Sequence, residues 1–398
     1  MSLIQISKRI EEKKTFALFE IGFRIFFLGA AIFSALTMSL WLAIYSSHIS
    51  LATSSFSSFQ WHAHEMIYGY AMAVIAGFLL TAIPNWTGVR TIYGSKLATL
   101  FFTWFLARIC FIFGSELLIP AALFDSLFNI FLIVSTLLPI HKAKKYKQLL
   151  LLSKIFILTL GNICFYLGSF GIINDGVSIA IYGGLYTIIS IILTIGSRVV
   201  PMFIENGVGY NVNIRNPKTL TILSFIIFPI FVLNDLFMKN EEILRISGFA
   251  LALIISIKLY FWHTVGIWRK PLLWSLFLAY CFIAISFLLI ALSPIFGFPK
   301  SLAIHLLAVG GIGFSTLAMM TRVSLGHTGR NVNNPPRATN YYLTTLLFAL
   351  FFRVLLPLID FSRYQYYIAI SQALWIITFV IFTATFAKVF LIKSKTSN

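Results

Sequence analysis

Apolar positions in this chain come in blocks of about twenty, separated by short breaks rich in charge, glycine, proline or asparagine. A helix needs roughly 20 apolar residues to cross the hydrocarbon core of a bilayer. Blocks of that length predict twelve spans, near residues 22–46, 61–83, 96–114, 116–140, 150–171, 177–200, 218–238, 245–263, 271–292, 301–324, 339–358 and 365–388. The expected fold is therefore all-α, one polytopic membrane domain over the whole chain.

Composition agrees with the pattern. The chain is 59% hydrophobic and only 11% charged, with a mean hydropathy of +0.92, whereas soluble domains carry about 25% charged residues. The formal net charge of +18 would suggest a nucleic-acid partner in a soluble chain. Here it reads as membrane topology, because basic residues collect in cytoplasmic loops. With the N-terminus inside, 21 Lys and Arg residues fall in or beside cytoplasmic segments, and only Lys239, Arg245, Lys300 and Arg363 fall outside. Both termini are expected in the cytoplasm, with the Ser47–Gln60 loop on the opposite side. The mixed-charge stretch Lys8 to Lys14, and the lack of a small-residue cleavage pattern after it, predict no cleaved signal. Cys110, Cys164 and Cys281 sit in apolar runs without paired spacing, so neither disulfides nor a zinc site is expected.

Against this background the histidines carry the candidate chemistry. His48 lies in a Ser-rich loop, and His141 and His263 sit at helix ends beside lysine or aromatic residues. His62 and His64 open the second span in "WHAHEMIYGYAMAVIAGF", His305 opens the tenth, and His327 follows the tenth in "SLGHTGR". Spans two and ten run in the same direction, so at about 1.5 Å per residue His64 and His305 lie at nearly equal depth. Two imidazoles at one depth on different helices can hold a flat macrocycle between them, and haem iron is commonly held by axial histidines. His327 is 22 residues beyond His305, roughly 33 Å along a helix. It is therefore a candidate for a separate metal site or a loop-capping residue.

The two histidine segments also resemble each other. Aligning His64 with His305 places Gly69 on Gly310 and Thr87-Gly88 on Thr328-Gly329 without a gap, and "SRV" at 197–199 echoes "TRV" at 321–323. Spans two, six and ten recur every four helices, which suggests three four-helix units. Gly69, Gly310, Gly311 and Gly313 would let a neighbouring helix or a porphyrin face approach closely.

The segments "FRIFFLGA", "WHAHEMIYGYAMAVIAGFLLTAIPNWTG", "SRVVPMF", "HLLAVGGIG" and "MMTRVSLGHTGR" are similar to signature segments of the NnrS family, over nearly the whole chain. The resemblance implies a bacterial inner-membrane protein with haem and also copper, associated with nitric oxide metabolism and resistance to nitrosative stress. A more distant similarity is to subunit I of the haem-copper oxidases and nitric oxide reductases. That resemblance implies twelve helices in three arcs, with a low-spin haem between histidines of helices two and ten. The chain departs from it at Leu307, where a second histidine would stand, and in spans six and seven, which contain no histidine. A binuclear reducing centre of that type is not expected.

Two residues apart on a helix, His62 and His64 point about 200° away from each other, so only one should face a given iron. His64 is the expected partner of His305. His62 would then hydrogen-bond or contribute to copper, since imidazole suits copper and iron alike. Glu65 is a further metal-ligand candidate or a partner that orients an imidazole. Arg108 and Arg353, near the same membrane face, are candidates for pairing with propionates, while Arg198 and Arg322 at the other face read as snorkelling side chains or as ligand-binding groups. The expected function is a haem-binding, copper-compatible membrane protein that handles nitric oxide, with the lipid bilayer as its surroundings and no nucleic-acid partner. An electron-relay or quinol-linked oxidoreductase is the alternative. A secondary transporter fits less well, because polar residues cluster at helix ends and not at the midplane.

Overall fold

The computed structural model describes residues 16–47 and 55–393. The basic stretch Lys8 to Lys14, His48 in its loop, and Lys395 lie outside the described residues. Among those described, twelve helices are long and apolar enough to cross a membrane. They are Gly22–Ser46, Ser58–Thr87, Ser95–Ile112, Gly114–Lys142, Tyr146–Ser169, Gly176–Gly207, Lys218–Met238, Glu241–Trp262, Pro271–Phe296, Lys300–Gly326, Ala338–Ile359 and Tyr364–Leu391. The polytopic all-α architecture expected from the hydrophobic blocks is the one observed. Several helices extend past the apolar blocks, because polar end residues add helical turns without leaving water: Ser57 caps the second span by accepting from the Gln60 backbone N–H, and Gln60 reciprocates, a capping box.

Each span packs on its sequence neighbour, and the twelfth returns to lie against the first. That closure is pinned at one membrane face. Ala17 N–H donates to the Leu391 carbonyl at 3.0 Å, and Arg24 Nη1 donates to the carbonyls of Val389 (2.7 Å), Phe390 (3.2 Å) and Ile392 (3.2 Å). A helix leaves its last carbonyls without partners, and here a guanidinium from the first span takes up three of them. The two ends of the described chain therefore flank the same face.

Spans two, six and ten form the centre, each touching the other two. Spans two and ten are the most enclosed, with 83% and 72% of their most apolar stretch buried, against 28% to 61% for the other ten. Their closeness depends on glycine. A Cβ on Gly69 would stand 2.6 Å from the Phe33 ring, and one on Gly310 would stand 2.7 Å from Phe282 Cβ. These glycines pack neighbouring helices, so helix approach accounts for them.

The internal resemblance holds in the backbone. Immediately after His64 the second span changes to π-helical winding over Glu65–Ala71, and immediately after His305 the tenth does the same over Leu306–Gly313. Further on, Gly88 and Gly329 both adopt left-handed φ, +72° and +67°. An extra residue in a helical turn leaves the carbonyl pattern imperfect, and π-bulges are frequent at functional sites. Here the Trp104 indole N–H takes up the Gly69 carbonyl at 3.0 Å, and Thr316 Oγ donates to the carbonyls of Ile312 (2.8 Å) and Gly313 (3.0 Å). Phe351–Leu355, which carries Arg353, is wound the same way.

Candidate functional site

Where spans two and ten begin, a cavity of about 380 Å³ opens between spans one, two, six, ten, eleven and twelve. Its walls are mostly apolar, with a few convergent polar groups, and its volume falls in the range of about 300–1,000 Å³ typical of ligand sites. His62 and His305 both line it, as do Arg353, Met38 and Met66. His62, Ala63, Met66, Ile304, His305, Ala308 and Val309 are the partly accessible positions of their segments, and all of them face this space.

Each histidine is held in a defined way. The His62 ring stacks on Trp41, with centroids 4.8 Å apart and planes 7° from parallel, and its Nδ1 has no hydrogen-bond partner. His305 Nδ1 lies 2.7 Å from the Ser301 carbonyl, which can only accept, so this nitrogen carries the proton. The lone pair is thereby left on Nε2, which accepts from Arg353 Nη2 at 3.1 Å; the same Arg353 nitrogen also stands 3.1 Å from Nδ1. A carbonyl-bonded N–H with the lone pair on the other nitrogen is the tautomer of a metal-ligating histidine, and Arg353 must turn aside before Nε2 can ligate. The position of His305 is braced in turn from Lys300, which pairs with Asp235 of the seventh span, itself bonded by the Tyr186 hydroxyl at 2.7 Å.

Arg353 supplies the cavity's electrostatics. Its Nη1 donates to the Tyr364 hydroxyl at 3.1 Å, and among the described residues neither an ion pair to it nor a carboxylate in the cavity lining is found. An uncompensated guanidinium at membrane depth is costly, so the space favours an occupant with negative charge, which guanidinium binds bidentately when it is a carboxylate.

His64 does not share this cavity. The expectation that it would face His305 is corrected by its surroundings: the ring is wholly buried, turned to the other side of the helix, with both nitrogens engaged. Nδ1 lies 3.0 Å from Glu65 Oε1 and Nε2 lies 2.8 Å from Asn162 Oδ1. Arg108 pairs with both Glu65 and Asp125, and the Tyr166 hydroxyl donates to Asp125 Oδ2 at 2.7 Å. Glu65 and Arg108 are therefore parts of a buried ionic cluster joining spans two to five. Neither faces the cavity, and Arg108 is not available to an anionic ligand there. Asp125, Asn162 and Tyr166 were not singled out from sequence, although a carboxylate such as Asp125 within an apolar run is itself a signal.

His327 lies at the far end of the tenth span, its ring 5.9 Å from Phe23. Its backbone N–H closes the helix on Val323 at 3.0 Å, in keeping with a capping and packing role. Arg198 is exposed, and the Arg322 guanidinium sits 3.9 Å over the Phe203 ring. Among the described residues no group of three or more His, Cys, Asp or Glu side chains comes together to hold a metal ion, and the three cysteines are free.

No curated protein matches the chain. A family model does: the one described as NnrS protein matches residues 17–393. It takes in the helices of the cavity and those of the ionic cluster alike, and on that extent of agreement the chain belongs to the NnrS family.

Proposed function

We propose that this multi-pass membrane protein binds haem in the central cavity and acts in the handling of nitric oxide, with His62 and His305 as the iron ligands. The observation that carries the reading is the pairing of these two imidazoles on one apolar cavity, one ring with an unpartnered nitrogen and the other in the ligand tautomer. The residues fit the group. Apolar walls suit the macrocycle, and Arg353, without a carboxylate partner, suits its propionates. Membership of the NnrS family supports the connection to nitric oxide. When bound, haem would supply a redox-active iron of tunable potential. The protein's own contribution is to fix both rings, His62 against Trp41 and His305 through Ser301, and to neutralise negative charge through Arg353.

A second reading is favoured by the thioethers. Met38 and Met66 line the same cavity as the two histidines, and imidazole with soft sulfur is a ligand set suited to Cu(I). A visible absorption spectrum with metal analysis of the purified protein separates the two. A Soret band that disappears in both His62→Ala and His305→Ala supports haem. Copper without haem, lost in the same variants, supports the second reading. Neither metal in freshly purified protein overturns both. A spectral shift on adding nitric oxide then tests the functional half of the proposal.

A further inference from the structure

A second cavity, of about 90 Å³, lies further along the bundle between spans one, two, five, six, nine and ten. Its lining is almost wholly apolar, with Phe27, Ile75, Ile155 and Met319 among its walls. Three hydroxyls face it, and two of them are occupied: Tyr280 donates to the Ile192 carbonyl at 3.0 Å, and Thr316 donates to Ile312 at 2.8 Å. The third, Ser315 Oγ, is buried and has no partner. A buried water needs two to four polar partners, whereas apolar cavities of about this size stay dry and take up xenon or small hydrocarbons. The lining offers almost no polar surface to the space, too little to hold a water.

The chamber is also placed between the bilayer and the histidine cavity. Phe78, Ile192, Ile195 and Val199 on its wall are only half-buried, so its mouth opens among apolar side chains on the outside of the bundle's centre. At its inner end it meets a single polar contact. Thr316 lines this chamber, Tyr70 lines the histidine cavity, and their hydroxyls are 2.7 Å apart. Thr316 already donates to a carbonyl, so the Tyr70 hydroxyl donates to Thr316. This hydrogen bond is thus the polar contact in a wall that is otherwise apolar. The geometry points to a dry chamber that admits a small uncharged gas molecule from the lipid and passes it to the histidine cavity when the Tyr70–Thr316 contact opens. Weakly polar diatomics such as nitric oxide partition into lipid, and the free Ser315 hydroxyl offers such a molecule one hydrogen bond.

The delivery half of this inference rests on the haem reading above, whereas the chamber half does not. Crystals of the detergent-purified protein under xenon pressure test the chamber: xenon should appear between Ile75, Ile155 and Ser315, and Ile192→Trp or Val199→Trp should remove it while the unfolding temperature is retained. Two tryptophan variants are used so that one that misfolds, or turns its ring into lipid, leaves the other informative. No xenon at this place in the wild type, or xenon retained in both variants, overturns the chamber. Flash photolysis of the nitric oxide complex, which would form by displacement of one histidine from the iron, tests delivery. Recombination should slow in Val199→Trp and quicken in Tyr70→Phe, and rates equal to wild type in both overturn the route. Protein that carries no haem defeats the earlier reading and the delivery route with it, while the xenon result still decides the chamber.

Discussion

His62 and His64, two residues apart on one helix, serve opposite sides of it: His62 faces the central cavity, and His64 is locked between Glu65 and Asn162 in a buried ionic cluster. The geometry of a helix, about 100° per residue, makes the separation unavoidable. Their replacements should therefore fail differently. His62→Ala should abolish cofactor absorbance with little change in unfolding temperature. His64→Ala should leave Asn162 Oδ1 without its partner and cost about 1–3 kcal/mol for that unsatisfied group, while Glu65 keeps Arg108. Absorbance spectra and thermal unfolding in detergent, measured on both variants, check the contrast. Equal loss of absorbance with equal stability in the two would contradict the assignment.

The twelve helices were legible in the chain because lipid imposes one strong requirement, an apolar run of fixed length. The place of His305 and of the His62–His64 pair in the first turns of their spans was legible for the same reason. Which of the pair faces His305 was not: a 200° separation says that they diverge, but not which neighbour lies on which side. The π-helical windings after His64 and His305 have no sequence signature beyond the glycines, because they arise from how neighbouring helices press on the turn. The ionic cluster escaped for another reason. Its members Arg108, Asp125, Asn162 and Tyr166 come from three different spans, and only the fold places them together.

The Arg108 contacts give a second expectation. This guanidinium pairs with both Glu65 and Asp125 in a wholly buried setting. Breaking a buried pair by removing one partner strands the other charge and costs about 3–5 kcal/mol. Arg108→Met should therefore reduce the yield of folded protein sharply. Combining it with Glu65→Gln and Asp125→Asn should recover part of the loss, because the stranded charges are gone. Fluorescence size-exclusion profiles of the single and triple variants measure this, and a triple variant no better than Arg108→Met would show that the cost lies in packing and not in charge.

Arg353 should behave in the reverse manner. It makes no ion pair among the described residues, so Arg353→Gln should leave the fold nearly unchanged. A hydrogen bond to a charged group contributes about 1.5–3 kcal/mol, so loss of the guanidinium should weaken cofactor retention by roughly 10- to 100-fold. Arg353→Lys should keep part of that affinity, because it preserves the charge but not the bidentate fork. Competition for haem with an apoprotein acceptor gives the affinities, and a Gln variant that retains haem like the wild type would remove Arg353 from the site.

Close approach of spans nine and ten supplies a packing test. A Cβ on Gly310 would stand 2.7 Å from Phe282 Cβ, a contact that only backbone movement relieves. Gly310→Ala should cost about 1–3 kcal/mol through overpacking. Gly88→Ala is the informative control, with open space around it but a φ of +72°, so its smaller cost of about 1 kcal/mol comes from backbone strain alone. Unfolding temperatures rank the two, and a Gly88 variant less stable than the Gly310 variant would refute the packing account.

The pH dependence of stability follows from His327, which lies just beyond the tenth span. Its half-buried ring stands 5.9 Å from Phe23, and burial holds its pKa below the ordinary 6.5. Below that ordinary value the unfolded chain binds a proton that the folded protein resists. The unfolded state then holds more protons, and stability falls as the pH falls. The loss should begin as pH drops through about 6.5 and level off once the folded protein also takes up the proton. Above pH 7 both states are neutral at this position and the contribution is flat. Unfolding temperatures of wild type and His327→Gln, compared between pH 7.5 and pH 5 in detergent, should converge at neutral pH and separate on the acid side, with the wild type falling further. Parallel curves would mean that His327 keeps its ordinary pKa and that acid sensitivity arises elsewhere in the bundle.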